Sequence, residues 1–260
     1  MEKLKIAIIQ TGTDAAGEEL ARQVYDDPVL LELCTPVCCV GNATDKTADA
    51  TVLAPTAEPA KCPADAVEVI VTDEVRFMLL AGKPTAEDIV KFRDILERDF
   101  DLRSPRIAIL QEGSVQNPDL ASQVTAEQGI NTYGPYTVEQ MLSEDKARYF
   151  DGIVCAEGNP AVQRIIKELS LGTPVRYFAG REAVVTAVCP PVSIDEEEGL
   201  ADVSALTHPV YVAIDVIHNR AFYDEALQNP LQKLYRDKRE DRERGERPKV
   251  EKTKAENDEQ

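Results

Sequence analysis

From Pro84 to Phe178 the chain alternates between segments of helical period and short apolar runs, which limits its fold more than any other feature. Ile89, Phe92, Ile95 and Leu96 repeat at three- and four-residue steps up to Phe100, and the strand-like run Arg106–Leu110 follows. Helices are then predicted over 118–128, 137–147 and 159–171, and strands over 129–133, 152–156 and 174–178. Parallel neighbours need a long crossover, usually a helix. The pattern therefore predicts a mostly parallel sheet covered by helices.

The flanking segments fit the same plan. Leu4–Ile9 reads as a buried strand, followed by a turn and a helix with Asp14 at its N-cap and Leu20 and Val24 one turn apart on the inner face. Asp27-Pro28 interrupts that helix, and Pro36–Asn42 reads as a second strand. Residues 43–63 are rich in Ala, Thr, Pro and Asp without apolar period, so a long surface loop is expected. Val67–Gly82 carries two apolar runs around Thr72-Asp73-Glu74, a hairpin or two sequential strands. Ala183–Val188 is a further strand, an acidic loop follows, and a long helix is predicted from about His208. Beyond Leu234 nearly every residue is charged, so 236–260 is expected to be a disordered tail on a single domain over 1–235.

Composition removes several function classes. The 47 acidic against 29 basic residues give a formal net charge of -18, which repels phosphate backbones and argues against a nucleic-acid partner. No run approaches the roughly 20 apolar residues of a membrane span, and Met1–Gln10 lacks a signal-peptide pattern, so a cytoplasmic protein with no membrane partner is expected. The six cysteines include no C-x-x-C pair, and Cys39, Cys155 and Cys189 sit in apolar runs as small hydrophobes of a reducing compartment.

Local motifs assign no catalytic residue. Thr11–Gly17 is a glycine-containing turn between a strand and a helix, a common anion position, but it matches neither G-x-G-x-x-G nor the P-loop spacing. The two histidines, His208 and His218, are ten residues apart on one helix, hence about 80° and about 15 Å apart, and cannot share one ion. Both read as surface or capping residues. Cys155 ends a strand, where α/β proteins often keep active groups, but no histidine is near it in sequence to activate it.

Taken in order, several stretches resemble 4-hydroxythreonine-4-phosphate dehydrogenase. Ile6–Glu19 is similar to that family's first strand and loop, with Thr11, Gly12, Asp14 and Gly17 in place. Val71–Gly82 is similar to its hairpin, Arg103–Gly113 to its central strand, Phe150–Pro160 to the strand before its last metal ligand, and Val175–Ala187 to a following substrate segment. The resemblance touches most of 4–235. It implies a three-layer α/β/α fold of the isocitrate/isopropylmalate dehydrogenase kind, with part of the second subdomain reduced around a shortened 43–66 region.

The departures fall on the chemistry. The family resemblance implies three metal-binding histidines, and the matching positions hold Lys83, the stretch Ser114–Asn117, and Ala156–Asn159 with Glu157. Its substrate-phosphate Asn and Arg are matched by Arg176 and Val185. The resemblance leaves NAD open as a ligand, while the missing histidines argue against a divalent metal. Two readings are carried forward beside a purely structural partner, which would cover another protein with its surface near the shortened 43–66 region. One is a catalytically degenerate binding or regulatory module, paired with itself or with an enzyme subunit of the family, as the family's dimers imply. The other is an active enzyme: a dehydrogenase of a phosphorylated hydroxy-amino acid, or one with a rebuilt pocket for a small anion. In the latter, Thr11, Gly12 and Asp14 would combine with Arg164, Lys167, Arg176 and Arg181, with Glu157 as acid or base.

Overall fold

Ten short runs rich in β-branched and aromatic residues form the strands. They are β1 (Leu4–Gln10), β2 (Cys34–Val40), β3 (Ala50–Leu53), β4 (Val67–Val71), β5 (Arg76–Leu80), β6 (Ile107–Leu110), β7 (Thr132–Tyr136), β8 (Gly152–Ala156), β9 (Val175–Ala179) and β10 (Val184–Val188). The structure, a computed structural model, describes residues 3–10, 15–40, 47–54, 66–111, 118–156, 159–180, 182–189 and 203–229. The strands make one sheet in the order β2-β1-β3-β10-β9-β4-β5-β8-β6-β7. Six of the nine pairings are parallel, and the three antiparallel ones, β10–β9, β9–β4 and β4–β5, lie together in the middle. The sheet therefore joins two parallel halves of opposite direction, and one edge of it carries the carboxyl ends of one half beside the amino ends of the other.

Seven helices among the described residues cover the sheet: α1 (Ala15–Asp26), α2 (Pro28–Leu33), α3 (Ala86–Phe100), α4 (Leu120–Gln128), α5 (Val138–Leu142), α6 (Asn159–Leu169) and α7 (Val203–Gln228). Alternate strand residues sort into two cores. On one face Ile6, Ile8, Val69, Val71, Met78, Ile107, Val154 and Tyr177 pack with residues of α1, α3, α4 and α7. On the other Ile70, Phe77, Ala108, Leu110 and Ile153 pack with α5 and α6. This is the three-layer α/β/α arrangement.

Local chemistry sets the helix ends. Asp27 caps α2 by accepting from the Val29 and Leu30 amides, while Thr85 with Asp88 and Thr137 with Gln140 form capping boxes on α3 and α5. Gly129 closes α4 in the left-handed region at φ 67°, so the strand predicted over 129–133 starts at Thr132 instead.

Two expectations need correction. The 43–63 segment is not all loop: it contains β3, whose four residues are all buried between β1 and β10. A strand covered on both faces shows no alternation, and one this short leaves little signal. The closing helix begins at Val203, not near His208, and carries Pro209 inside it. Leu206 and Val210 are wholly buried there, and the Thr186 hydroxyl donates to the Pro209 carbonyl at 2.8 Å. Burial outweighs the cost of a proline within the helix.

The chain divides into two compact units, Met1–Arg220 and Ala221–Gln260. In the second, described only over 221–229, α7 runs through Gln228 and the Asn229 amide donates to the Glu225 carbonyl. The predicted tail lies outside the described residues.

Candidate functional site

Strands β5, β8 and β6 are adjacent and parallel, with Arg76, Gly152 and Ile107 level at their amino ends and Leu80 and Ala156 level at the carboxyl edge. Ligands of open α/β sheets bind outside carboxyl ends. The three segments that replace the histidines follow these three strands in sequence. Lys83 comes after β5 and is exposed. Ser114–Asn117 and Glu157 lie outside the described residues. Among the described residues no group of three or more His, Cys, Asp or Glu could hold a metal ion. An ammonium at one of the three positions adds a charge that repels a divalent cation, so the described residues here do not fit the metal that the resemblance implies.

Cys155, the candidate thiol in β8, is buried and its Sγ donates to the Ile153 carbonyl at 3.8 Å. Burial pushes its pKa strongly up, which removes the thiolate a nucleophile needs.

Of the proposed anion-binding cations, Arg164, Lys167 and Arg176 are among the described residues. Thr11, Gly12, Asp14 and Arg181 lie outside the described residues. Arg176 is half-buried, donates to Glu68 Oε1 at 2.7 Å and lies over the Phe178 ring at 5.2 Å. Arg164 already pairs with Glu139 and Glu168. Lys167 is exposed in the last turn of α6, which starts after the carboxyl end of β8 and runs back toward the turn between β4 and β5, where the Leu171 carbonyl accepts from the Asp73 amide.

The amino edge of β5 holds a cavity of about 410 Å³ that no local motif announced. Val71 and Val175, the last residue of β4 and the first of β9, give it an apolar floor, with Phe100 from the end of α3. One stripe of α7, His208, Tyr211, Val212, Asp215 and Asn219, forms the facing wall. Between them stands Arg76. Its guanidinium lies over the Phe100 ring at 5.2 Å, and its Nη1 donates to the Glu74 carbonyl at 3.2 Å. Its Nε is buried and, among the described residues, has no hydrogen-bond partner. Burial pushes the Arg76 pKa down, and the charges of Asp151 and Asp73 pull the other way.

Asp73 and Asp215 are both exposed at the rim of this cavity. The Asp73 carboxylate lies where a Cβ on Gly172 would stand, 2.0 Å from its Oδ2, and Gly172 has φ +88°. Glycine is required at 172 on both counts. The Asp215 pKa is held up by the surrounding protein, against the charge of His218. Tyr211 donates to Asp27 Oδ2 at 2.8 Å; burial first, and then this bond, push its hydroxyl up to about 12. His208, expected to be an ordinary surface or capping residue, is half-buried in the cavity wall, because α7 starts before it.

Behind the wall lies a buried charge network. Asp99, fully buried in α3, accepts from Arg98 Nε at 2.8 Å, from Arg220 Nε at 2.8 Å and from the Tyr177 hydroxyl at 2.6 Å. Arg220 Nη2 also donates to the Tyr177 oxygen at 2.7 Å, and Asn219 Nδ2 to the Asp99 carbonyl at 3.0 Å. Burial alone would raise the Asp99 pKa, but the hydrogen bonds of Arg220, Arg98 and Tyr177 outweigh it and the net shift is downward.

Sequence reasoning missed Arg76, Asp73 and Asp215. The usable signal was the polar stripe His208, Tyr211, Asp215 and Asn219 at helical spacing within an otherwise apolar helix.

No protein-family profile matches the chain. A 4-hydroxythreonine-4-phosphate dehydrogenase of Bacteroides thetaiotaomicron is 31% identical over 170 residues, 60% of this chain and 46% of that relative. The chain thus spans less than half the length of the curated relative it matches. A crystal structure of a 4-hydroxythreonine-4-phosphate dehydrogenase from Burkholderia phymatum superposes with a TM-score of 0.55 at 13% identity, covering 83% of this chain and 99% of that one. A β-decarboxylating dehydrogenase from Thermococcus kodakarensis gives 0.52 at 12% identity, covering 86% and 84%. A branched-chain phosphotransacylase from Enterococcus faecalis gives 0.51 at 14% identity, covering 82% and 99%. These structures establish the fold, which hosts more than one chemistry.

Proposed function

We propose, from the premise that this chain is a divergent relative of the 4-hydroxythreonine-4-phosphate dehydrogenases, that it is a catalytically degenerate form kept as a binding or regulatory module. One observation carries the reading: the segment after β5, at the carboxyl edge beside β8, presents the exposed Lys83 where the resemblance requires a metal-binding histidine. A histidine offers a neutral nitrogen lone pair to a metal, whereas a protonated lysine offers none and adds a positive charge. In the relatives' chemistry the metal would polarise the substrate's hydroxyl and the carbonyl formed from it.

The described residues form one continuous ten-stranded sheet with helices packed on it, so the scaffold can still present surfaces and cavities. A second copy of this chain, or an enzyme subunit of the same family, is the partner this reading names. NAD is retained in the proposal only as a ligand. The test is calorimetric titration of the purified full chain with Mn²⁺, alone and with NAD present. The expected result is no Mn²⁺ binding tighter than about millimolar, about 4 kcal/mol of binding free energy. Stoichiometric micromolar Mn²⁺ binding would overturn the reading.

A further inference from the structure

We infer that the cavity at the amino edge of β5 is a binding site for a small zwitterion of the α-amino acid class, with Arg76 receiving the carboxylate and Asp73 and Asp215 the ammonium group. The inference stands independently of the degenerate-relative reading, because it concerns the opposite edge of the same strands.

Four observations carry it. The cavity, at about 410 Å³, is toward the small end of ligand pockets, suited to a metabolite and not to a dinucleotide. Its lining holds a cation, Arg76, whose guanidinium is bounded by Phe100 with Val71 and Val175 nearby. A carboxylate matches the planar fork of a guanidinium better than any neutral acceptor.

The rim is anionic. Asp73 and Asp215 stand at the mouth, and among the described residues neither forms an ion pair. Asp73 is fixed there by its close seat on Gly172 and by the bond from its amide to the Leu171 carbonyl. Two carboxylates at the entrance repel a simple anion, and a guanidinium on the floor repels a simple cation. A molecule bearing a carboxylate at one end and an ammonium a few ångströms away satisfies both. The remaining wall groups, Thr173, His208 and Asn219, with Val212 between them, leave room for a short side chain that is polar or apolar.

The full chain is titrated calorimetrically with L-serine and L-leucine, and with two half-ligands: ethanolamine, which lacks the carboxylate, and propionate, which lacks the amine. At least one amino acid is expected to saturate at or below low millimolar concentration, with each half-ligand at least tenfold weaker. Arg76→Met is expected to weaken the amino acid at least tenfold, and Asp215→Asn at least fivefold. Lys83→Ala, at the other edge, is expected to leave binding unchanged. Asp215 is exposed, so Asp215→Asn keeps the test decisive if Arg76→Met does not fold. Ethanolamine binding as tightly as the amino acids, with no loss in Arg76→Met, would show a cation site and overturn the inference. Propionate binding as tightly, with no loss in Asp215→Asn, would show an anion site and overturn it equally. No heat from any probe at 50 mM would also overturn it.

Discussion

The two ends of β5 carry different chemistry. Its carboxyl end leads to Lys83 at the edge where ligands of open α/β sheets gather, and the groups described there do not fit a metal. Its amino end begins with Arg76, which the fold holds half-buried near the carboxylates of Asp73 and Asp215, neither of which forms an ion pair among the described residues. The strand between them is only five residues long. The comparison teaches that the two edges of one strand can carry polar groups of different kinds, because the apolar core between them depends on neither edge.

The largest effect expected from perturbing the pocket edge lies behind its wall. Asp99→Ala removes the anion that holds Arg98, Arg220 and Tyr177 in a buried site. A loss of about 3–5 kcal/mol is expected in urea unfolding, as for other buried pairs broken on one side. The same network sets an acid limit. The folded pKa of Asp99 lies below its unfolded value, so its contribution is present above about pH 4 and is lost as pH falls through the folded value. Part of the acid destabilisation seen by unfolding the wild type at pH 3 should be absent in Asp99→Asn.

Gly172→Ala comes next. It forces a side chain into the left-handed region and onto the Asp73 carboxylate, with an expected cost of about 1–3 kcal/mol by chemical denaturation. Arg76→Met is expected to fold and to be as stable as wild type or up to about 1 kcal/mol more stable, since it replaces a desolvated cation by an apolar chain of similar length. A clear destabilisation would mean that Arg76 is structural, and would weaken the contrast between the edges. The smallest effect belongs to the other end of the strand: Lys83→Ala should change stability by less than about 0.5 kcal/mol.

Much of the fold was legible because its signals are local. The strand predicted over 152–156 coincides with β8, and the two runs around Thr72-Asp73-Glu74 are an antiparallel hairpin. β3 was illegible because a four-residue strand covered on both faces has no alternation to detect. The start of α7 was misplaced because Pro209 reads as a first-turn residue, while the packing of Leu206 decides otherwise. The absence of histidine at the three positions that the resemblance points to could be read by matching motifs in order, since each follows a recognisable strand. The cavity could not, because Val71–Arg76, Phe100, Thr173–Val175 and the α7 stripe come together only once the middle of the sheet turns antiparallel.

The central claim, that the carboxyl edge has lost the family's chemistry, is met most directly by one turnover measurement. The full chain, at micromolar concentration, is incubated with 4-phosphooxy-L-threonine, NAD and Mg²⁺ or Mn²⁺, and the absorbance of NADH is followed at 340 nm. The account expects no formation above the enzyme-free control with either metal. Metal-dependent NADH formation over many turnovers, reduced by substitution of Lys83, would contradict it.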